Sequence, residues 1–128
     1  LIKQSIINLK YYLDSEDYSQ YVFPALRALE GHIKYLLTAA GRTAKRNFDC
    51  FNLDKSTNPQ KYIVSAPLTD ATKKDSIENC YNYYKLQRDT IFHFGDILGT
   101  VDNTRFITSK DEANEIINKC IELICNQQ

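Results

Sequence analysis

Residues 19–40 read SQYVFPALRALEGHIKYLLTAA, and this stretch decides the fold. Its apolar residues recur at three- and four-residue spacing, which predicts one long amphipathic helix. Pro24 lies near its start, where a missing amide donor is tolerated, and Gly41 provides a natural C-terminal stop. The broad apolar stripe places this helix at the centre of the molecule. The stripe consists of Val22, Leu26, Leu29, Ile33, Leu36, Leu37 and Ala40.

Helical patterns also precede and follow this stretch. Residues 1–13 place Ile2, Ile6, Leu9 and Leu13 at helical spacing, and a polar break follows. A third main helix is expected to begin near Asp75 or Ser76, with Asp75 as its cap and Glu78 three positions on, and to end at Gly95. Its apolar face is formed by Ile77, Cys80, Tyr81, Tyr84 and Ile91. We expect these tyrosines to serve packing, although base stacking is an alternative.

The last helix is predicted from a capping box, Ser109 to Glu112. Its apolar side carries Ala113, Ile116, Ile117, Cys120, Ile121 and Ile124. Residues 42–72 differ, because turn formers are frequent and no period persists; only Tyr62-Ile63-Val64 offers a strand candidate. The predicted class is all-α, a bundle of four to five helices with a long irregular excursion between the second and third main helices.

Length and composition limit the range of functions. A chain of 128 residues fits one domain. Sixteen basic and sixteen acidic residues give zero net charge, so bulk electrostatics offers no argument for nucleic-acid binding. No apolar run approaches the roughly 18 residues that span a bilayer. The start lacks an initiator Met and a signal peptide, so we expect a piece of a longer protein. Cysteines that are expected to be reduced favour a cytoplasmic location.

The four cysteines predict neither disulfides nor a metal site. Cys50, Cys80, Cys120 and Cys125 form no CxxC pair, and no histidine stands at zinc-ligand spacing. Because Cys80 and Cys120 lie on apolar helix faces, reduced buried thiols are expected. No carboxylate cluster indicates a metal, and no cofactor is expected.

Two Arg-x4-His segments are the candidates for chemistry, Arg88 to His93 (RDTIFH) and Arg27 to His32 (RALEGH). A histidine titrates near neutral pH and can move protons, while an arginine offers a planar fork of donors to phosphate oxygens. Five helical positions separate the two side chains by about 140°. Both can reach one phosphate only if the helix distorts near His93 or a second subunit completes the site. The alternative reading is a dipole-favoured histidine and a surface ion-pair arginine.

The segment Arg88–His93 resembles the signature of the HEPN superfamily. That signature is Arg, a polar residue, a short variable stretch and His at the end of a bundle helix. Asp89 fits the polar second position, whereas Ala28 occupies it in the other copy. We therefore assign the motif to Arg88–His93 and expect His32 to serve packing. His93-Phe94-Gly95 lacks the later Tyr of HEPN proteins that have nucleotidyltransferase partners, which disfavours that version.

From Tyr21 through the motif helix to the last helix, the chain resembles the C-terminal domain of RNase LS-type toxins of bacterial toxin–antitoxin systems. The resemblance implies a HEPN-like bundle and an endoribonuclease that cleaves mRNA without a metal. It implies a homodimer whose motifs line a shared cleft, inhibited by a cognate antitoxin or by a phage-encoded substitute. It implies that Glu30 belongs to the site beside Arg88 and His93, with Asp89 and Arg27 supporting. A rival hypothesis is a non-catalytic dimerisation and antitoxin-binding module, with RNA binding supplied by an N-terminal region.

Overall fold

The computed structural model describes residues 1–3, 5–6, 18–42, 48–65, 68–91, 107 and 109–126. Three helices lie within these ranges: α1 (Ser19–Ala39), α2 (Lys74–Ile91) and α3 (Lys110–Asn126). Between α1 and α2 in the sequence, the chain forms a two-stranded antiparallel sheet of β1 (Phe51–Asp54) and β2 (Lys61–Val64). The described part is therefore mostly helical. None of its helices combines the length and apolar character needed to cross a membrane.

Helix α1 occupies the centre, as its apolar stripe predicts. It packs against both α2 and α3, and every residue of the stripe is fully buried. Gly41 ends the helix in the left-handed conformation at φ 86°. The Arg42 amide donates to Leu37 O at 2.9 Å and the Gly41 amide to Thr38 O at 3.1 Å, which is the Schellman arrangement. The predicted C-terminal stop is confirmed.

The N-terminal segment is helical at Ile2, Lys3, Ser5 and Ile6, whereas Leu1 is not helical; residues 4 and 7–13 of the predicted first helix lie outside the described residues. Ser5 is fully buried, and its hydroxyl accepts a hydrogen bond from the Ala25 amide at 3.0 Å. This side chain fixes the N-terminal segment to the start of α1.

The predicted irregular excursion is wrong in part, because its described residues contain the β1–β2 hairpin. The strand candidate at 62–64 is confirmed within β2. Helix α2 supports the strand through Asn82, which accepts from the Tyr62 amide at 2.8 Å and donates to Tyr62 O at 2.9 Å. Short strands are stable only with such outside partners.

The predicted cap of the motif helix is also wrong. A 3-10 turn, Ala71–Lys73, precedes α2, and its cap is Asp70, whose carboxylate accepts from the Thr72 amide at 3.1 Å. The helix then begins at Lys74, one residue before Asp75. Glu78, expected in a capping box, instead accepts from the Val64 amide at 2.9 Å. Because the 3-10 turn capped by Asp70 leads directly into α2, the helix begins without the capping box predicted at Asp75 and Glu78.

The predicted apolar faces of α2 and α3 are confirmed. All five residues of the α2 face are buried, as are Ala113, Ile116, Ile117 and Cys120 of α3. Ser109 caps α3, accepting from the Asp111 amide at 3.1 Å and the Glu112 amide at 3.3 Å. The four cysteines are free thiols. Burial raises the pKa of Cys80 to about 11 and that of Cys120 to about 12, so both are protonated at neutral pH.

Candidate functional site

The first motif residue, Arg88, lies in the last described turn of α2. Its side chain is 53% exposed, so the guanidinium is accessible to a ligand. Tyr84 precedes it by four residues and therefore shares its face of the helix. This face of α2 is directed toward α1, against which the helix packs.

On α1, Arg27 and Glu30 are separated by three residues and therefore lie on one face. Arg27 is exposed and Glu30 is half-buried, with 30% of its side chain accessible. Arg27 and Glu30 thus lie one turn apart on the same face of α1.

A surface cavity joins these two helix faces. Its lining consists of Leu26, Arg27, Glu30, Tyr84 and Arg88, and its volume is about 330 Å³. This volume is at the lower end of the range that holds small ligands. The structure therefore brings together three of the five predicted site residues: Arg27, Glu30 and Arg88.

The sequence reasoning assigned two lining residues, Leu26 and Tyr84, to packing, and only Tyr84 of the two has a polar side chain. It is only 6% exposed, and its burial raises its pKa to about 12; the nearby Glu30 charge and a hydrogen bond to Glu30 act in the same direction. The Arg88 charge acts in the opposite direction. The phenol therefore keeps its proton at neutral pH. Its spacing of four residues from Arg88 was the available signal.

Glu30 has a second partner on its own helix. The Lys34 ammonium donates to Oε1 of Glu30 at 3.3 Å. Glu30 and Lys34 thus form an ion pair between neighbouring turns of α1. A half-buried pair between neighbouring turns of one helix contributes only a few tenths of a kcal/mol. A carboxylate has acceptor sites for several donors, so the ion pair and the tyrosine contact are compatible.

Asp89 lies beside the cavity rather than in its described lining. Its Oδ2 is 3.2 Å from the Lys85 ammonium, and its Oδ1 is 3.8 Å from Nη1 of Arg88. Asp89 is 48% exposed, so water weakens both interactions. The contact between Asp89 and Arg88 is therefore long and open to solvent, and an orienting role for Asp89 stays a prediction.

Of the two histidines, only His32 lies within the described residues. His93 lies outside the described residues, so the expected distortion of the helix near it stays a prediction. His32 is half-buried on α1, where its ring stacks on Tyr35 with the centroids 6.2 Å apart. It is absent from the described lining of the cavity. This position agrees with the packing role expected of His32.

The cavity is suited to an anionic ligand with a protic group beside the charge. Two guanidinium groups, those of Arg27 and Arg88, offer forked donors to phosphate oxygens. The carboxylate of the described lining, Glu30, offers an acceptor for a hydroxyl or a guanidinium. Such a set combines donors for phosphate oxygens with an acceptor for a neighbouring hydroxyl.

Known proteins resemble the chain in sequence and in fold. The mRNA endoribonuclease LsoA of Escherichia coli O157:H7 is 31% identical over 93 residues, which are 70% of this chain and 26% of that protein. The crystal structure of Escherichia coli toxin LsoA in complex with T4 phage antitoxin Dmd superposes with a TM-score of 0.72 at 27% identity. The match covers 98% of this chain and 49% of that one. The chain thus spans about half of the solved relative.

The family model described as the RNase LS, bacterial toxin DBD domain matches residues 1–95. That range contains α1, the hairpin and all of α2, and hence every residue of the cavity. The match covers most of the chain, which therefore belongs to the RNase LS bacterial toxin DBD-domain family.

Proposed function

We propose that this chain is the HEPN-type catalytic domain of an mRNA-cleaving toxin, an endoribonuclease that needs no metal. The observation that carries the proposal is the cavity between α1 and α2, where Arg27, Glu30 and Arg88 meet. Two arginines and one carboxylate suit a phosphodiester better than a neutral or cationic ligand. The family membership supports the same reading.

The proposed reaction uses the nucleophile that RNA itself carries, the 2′-hydroxyl. His93 removes or supplies a proton, since its imidazole titrates near neutral pH. Arg88 stabilises the extra negative charge on the phosphorane-like transition state. Glu30 orients the reacting hydroxyl or an arginine, Arg27 supplies a further contact to phosphate, and Asp89 orients Arg88. The products are a 2′,3′-cyclic phosphate and a 5′-hydroxyl.

We further propose that the domain acts in the cytoplasm as a homodimer and is inhibited by an antitoxin. Arg88 and His93 are five positions apart, so a second subunit is one means of uniting them at one phosphate. The solved relative is a toxin in complex with a phage antitoxin, which supports an antitoxin as partner. Both a cognate antitoxin and a phage-encoded one fit this proposal.

The test is the chemistry of the RNA ends produced by the natural full-length protein. The proposal predicts 2′,3′-cyclic phosphate and 5′-hydroxyl ends, and a loss of about 100-fold or more in cleavage rate for Arg88→Ala. Lys119→Ala is the matched control, because Lys119 is a half-exposed cation on α3, paired with Glu122. A 3′-hydroxyl with a 5′-phosphate would contradict the proposal, since it indicates attack by water.

The rival function is a non-catalytic module for dimerisation and antitoxin binding. The zero net charge of the chain favours it, because RNA-binding surfaces are usually basic. The double variant Arg88→Ala/His93→Ala separates the two functions. Loss of RNA cleavage with antitoxin binding retained supports the nuclease, whereas full cleavage with impaired antitoxin binding supports the module.

A further inference from the structure

Lys34 contacts the carboxylate of the cavity and is itself absent from the described lining. Its ammonium donates to Oε1 of Glu30 at 3.3 Å, and the two residues lie one turn apart on α1. Glu30 is among the lining residues of the cavity. The Lys34 side chain is 31% exposed, so protein covers much of its aliphatic stem. Any influence of Lys34 on a ligand in the cavity therefore passes through Glu30.

The Lys34 ammonium has a second contact, in the segment before β1. It lies over the ring of Phe48, 5.6 Å from the ring centroid, where an ammonium is attracted to the electron-rich face. Phe48 packs edge-on with three other rings, whose centroids lie 5.3 to 6.0 Å from its own: Phe51, Tyr81 and Tyr84. The position of the Phe48 ring is therefore set by packing, and this ring restricts the ammonium to the neighbourhood of Glu30.

We propose that Lys34 is a positioning residue of the cavity, which holds the Glu30 carboxylate through their ion pair while Phe48 holds the Lys34 ammonium. The proposal rests on the nuclease function proposed above, and it adds a residue to that site. In the open cavity, water weakens the ion pair. RNA that covers the cavity displaces this water and lowers the local dielectric, so the pair is stronger during catalysis than in the free protein.

Lys74 provides a matched control for the test. Its ammonium is 3.2 Å from Oε2 of Glu78, one turn further along α2, so it forms the same kind of ion pair. Both Lys74 and Glu78 are absent from the described lining of the cavity. Lys34→Met and Lys74→Met each remove one ammonium and keep an unbranched side chain, but only the first removes the Glu30 contact. Lys34→Arg is the conservative variant, because it keeps a cation at this position.

The experiment measures kcat and KM for RNA cleavage by the natural full-length protein. We expect kcat to fall about five-fold in Lys34→Met, because a misplaced carboxylate slows the reaction, and to stay near the wild-type value in Lys74→Met and Lys34→Arg. KM should change less than kcat, since Lys34 does not touch the substrate. In a Glu30→Ala background, Lys34→Met should have no further effect. An equal loss in both backgrounds overturns the proposal, because Lys34 then acts independently of Glu30. Wild-type kcat for Lys34→Met also overturns it.

A second readout separates this proposal from the proposed nuclease function. The ¹³C resonance of the Glu30 side-chain carboxyl carbon is recorded at neutral pH in the wild type, Lys34→Met and Lys74→Met. It should move in Lys34→Met and stay in Lys74→Met, whether or not RNA is cleaved. If the wild type is inactive and the resonance moves, the nuclease proposal fails and the contact stands. An unmoved resonance in Lys34→Met overturns the role of Lys34.

Discussion

Replacing Asn82 by Ala should loosen the hairpin from the motif helix by a predictable amount. The Asn82 amide makes contacts of 2.8 and 2.9 Å with the backbone of Tyr62 and one of 2.8 Å with Glu78 O. Each hydrogen bond contributes about 1 kcal/mol net. Alanine favours the helix by about 0.6 kcal/mol over asparagine, which offsets part of the loss. The free energy of unfolding should therefore fall by about 2 kcal/mol.

The assay is urea unfolding, combined with hydrogen exchange at the Tyr62 amide. Asn52→Ala is the control, because Asn52 is an exposed asparagine on the paired strand. The Tyr62 amide should exchange much faster in Asn82→Ala than in the wild type or the control, since its acceptor has been removed. Unchanged protection of this amide, with stability within about 0.5 kcal/mol of the wild type, would refute the reasoning.

Three further predictions concern the core, the thiols and the turn before α2. Ile33→Ala, at a fully buried position of α1, should lower the free energy of unfolding by about 2–5 kcal/mol, whereas Tyr35→Ala, at an exposed position of the same helix, should cost less than about 1 kcal/mol in the same urea titration. Cys125 is exposed and the other cysteines are buried, so a thiol reagent should label it quickly in the native protein and label all four in denaturant; rapid native labelling of Cys120 would contradict the described core. Hydrogen bonds from Thr72 hold the pKa of Asp70 below its usual value of 3.8, so its stabilising effect is present above that pH and is lost as the pH falls through the lowered pKa. The stability difference between the wild type and Asp70→Ala should thus shrink in acid, and a difference that grows there would be evidence against the turn.

The sequence predicted the helices well and the hairpin poorly, for a physical reason. Helical periodicity is local, so the stripe from Val22 to Ala40 was sufficient to place α1 and its burial. Strands β1 and β2 depend on partners distant in sequence, such as Asn82 and the Glu78 carboxylate. The residue pattern within a four-residue strand does not indicate these partners.

In the candidate site, too, local spacing was predictable from the sequence and contacts between helices were not. The family resemblance indicated Arg27, Glu30 and Arg88, which the structure places around one cavity. Helical spacing alone could relate Arg27 to Glu30 but could not bring either of them to Arg88, because that contact depends on how α1 packs against α2. Tyr84 was assigned to the apolar face, correctly, since its ring is buried. The direction of its hydroxyl depends on the facing helix, which periodicity does not specify.

The central claim is that His93 and the cavity at Arg88 cleave RNA without a metal. The most direct test is cleavage of a long mRNA in excess EDTA by the natural full-length protein, comparing the wild type with His93→Ala and His32→Ala. His32→Ala is the matched control, because it removes the other histidine of the chain. The account predicts EDTA-resistant cleavage that survives in His32→Ala and is lost in His93→Ala. Cleavage that EDTA abolishes, or that continues undiminished in His93→Ala, would contradict it.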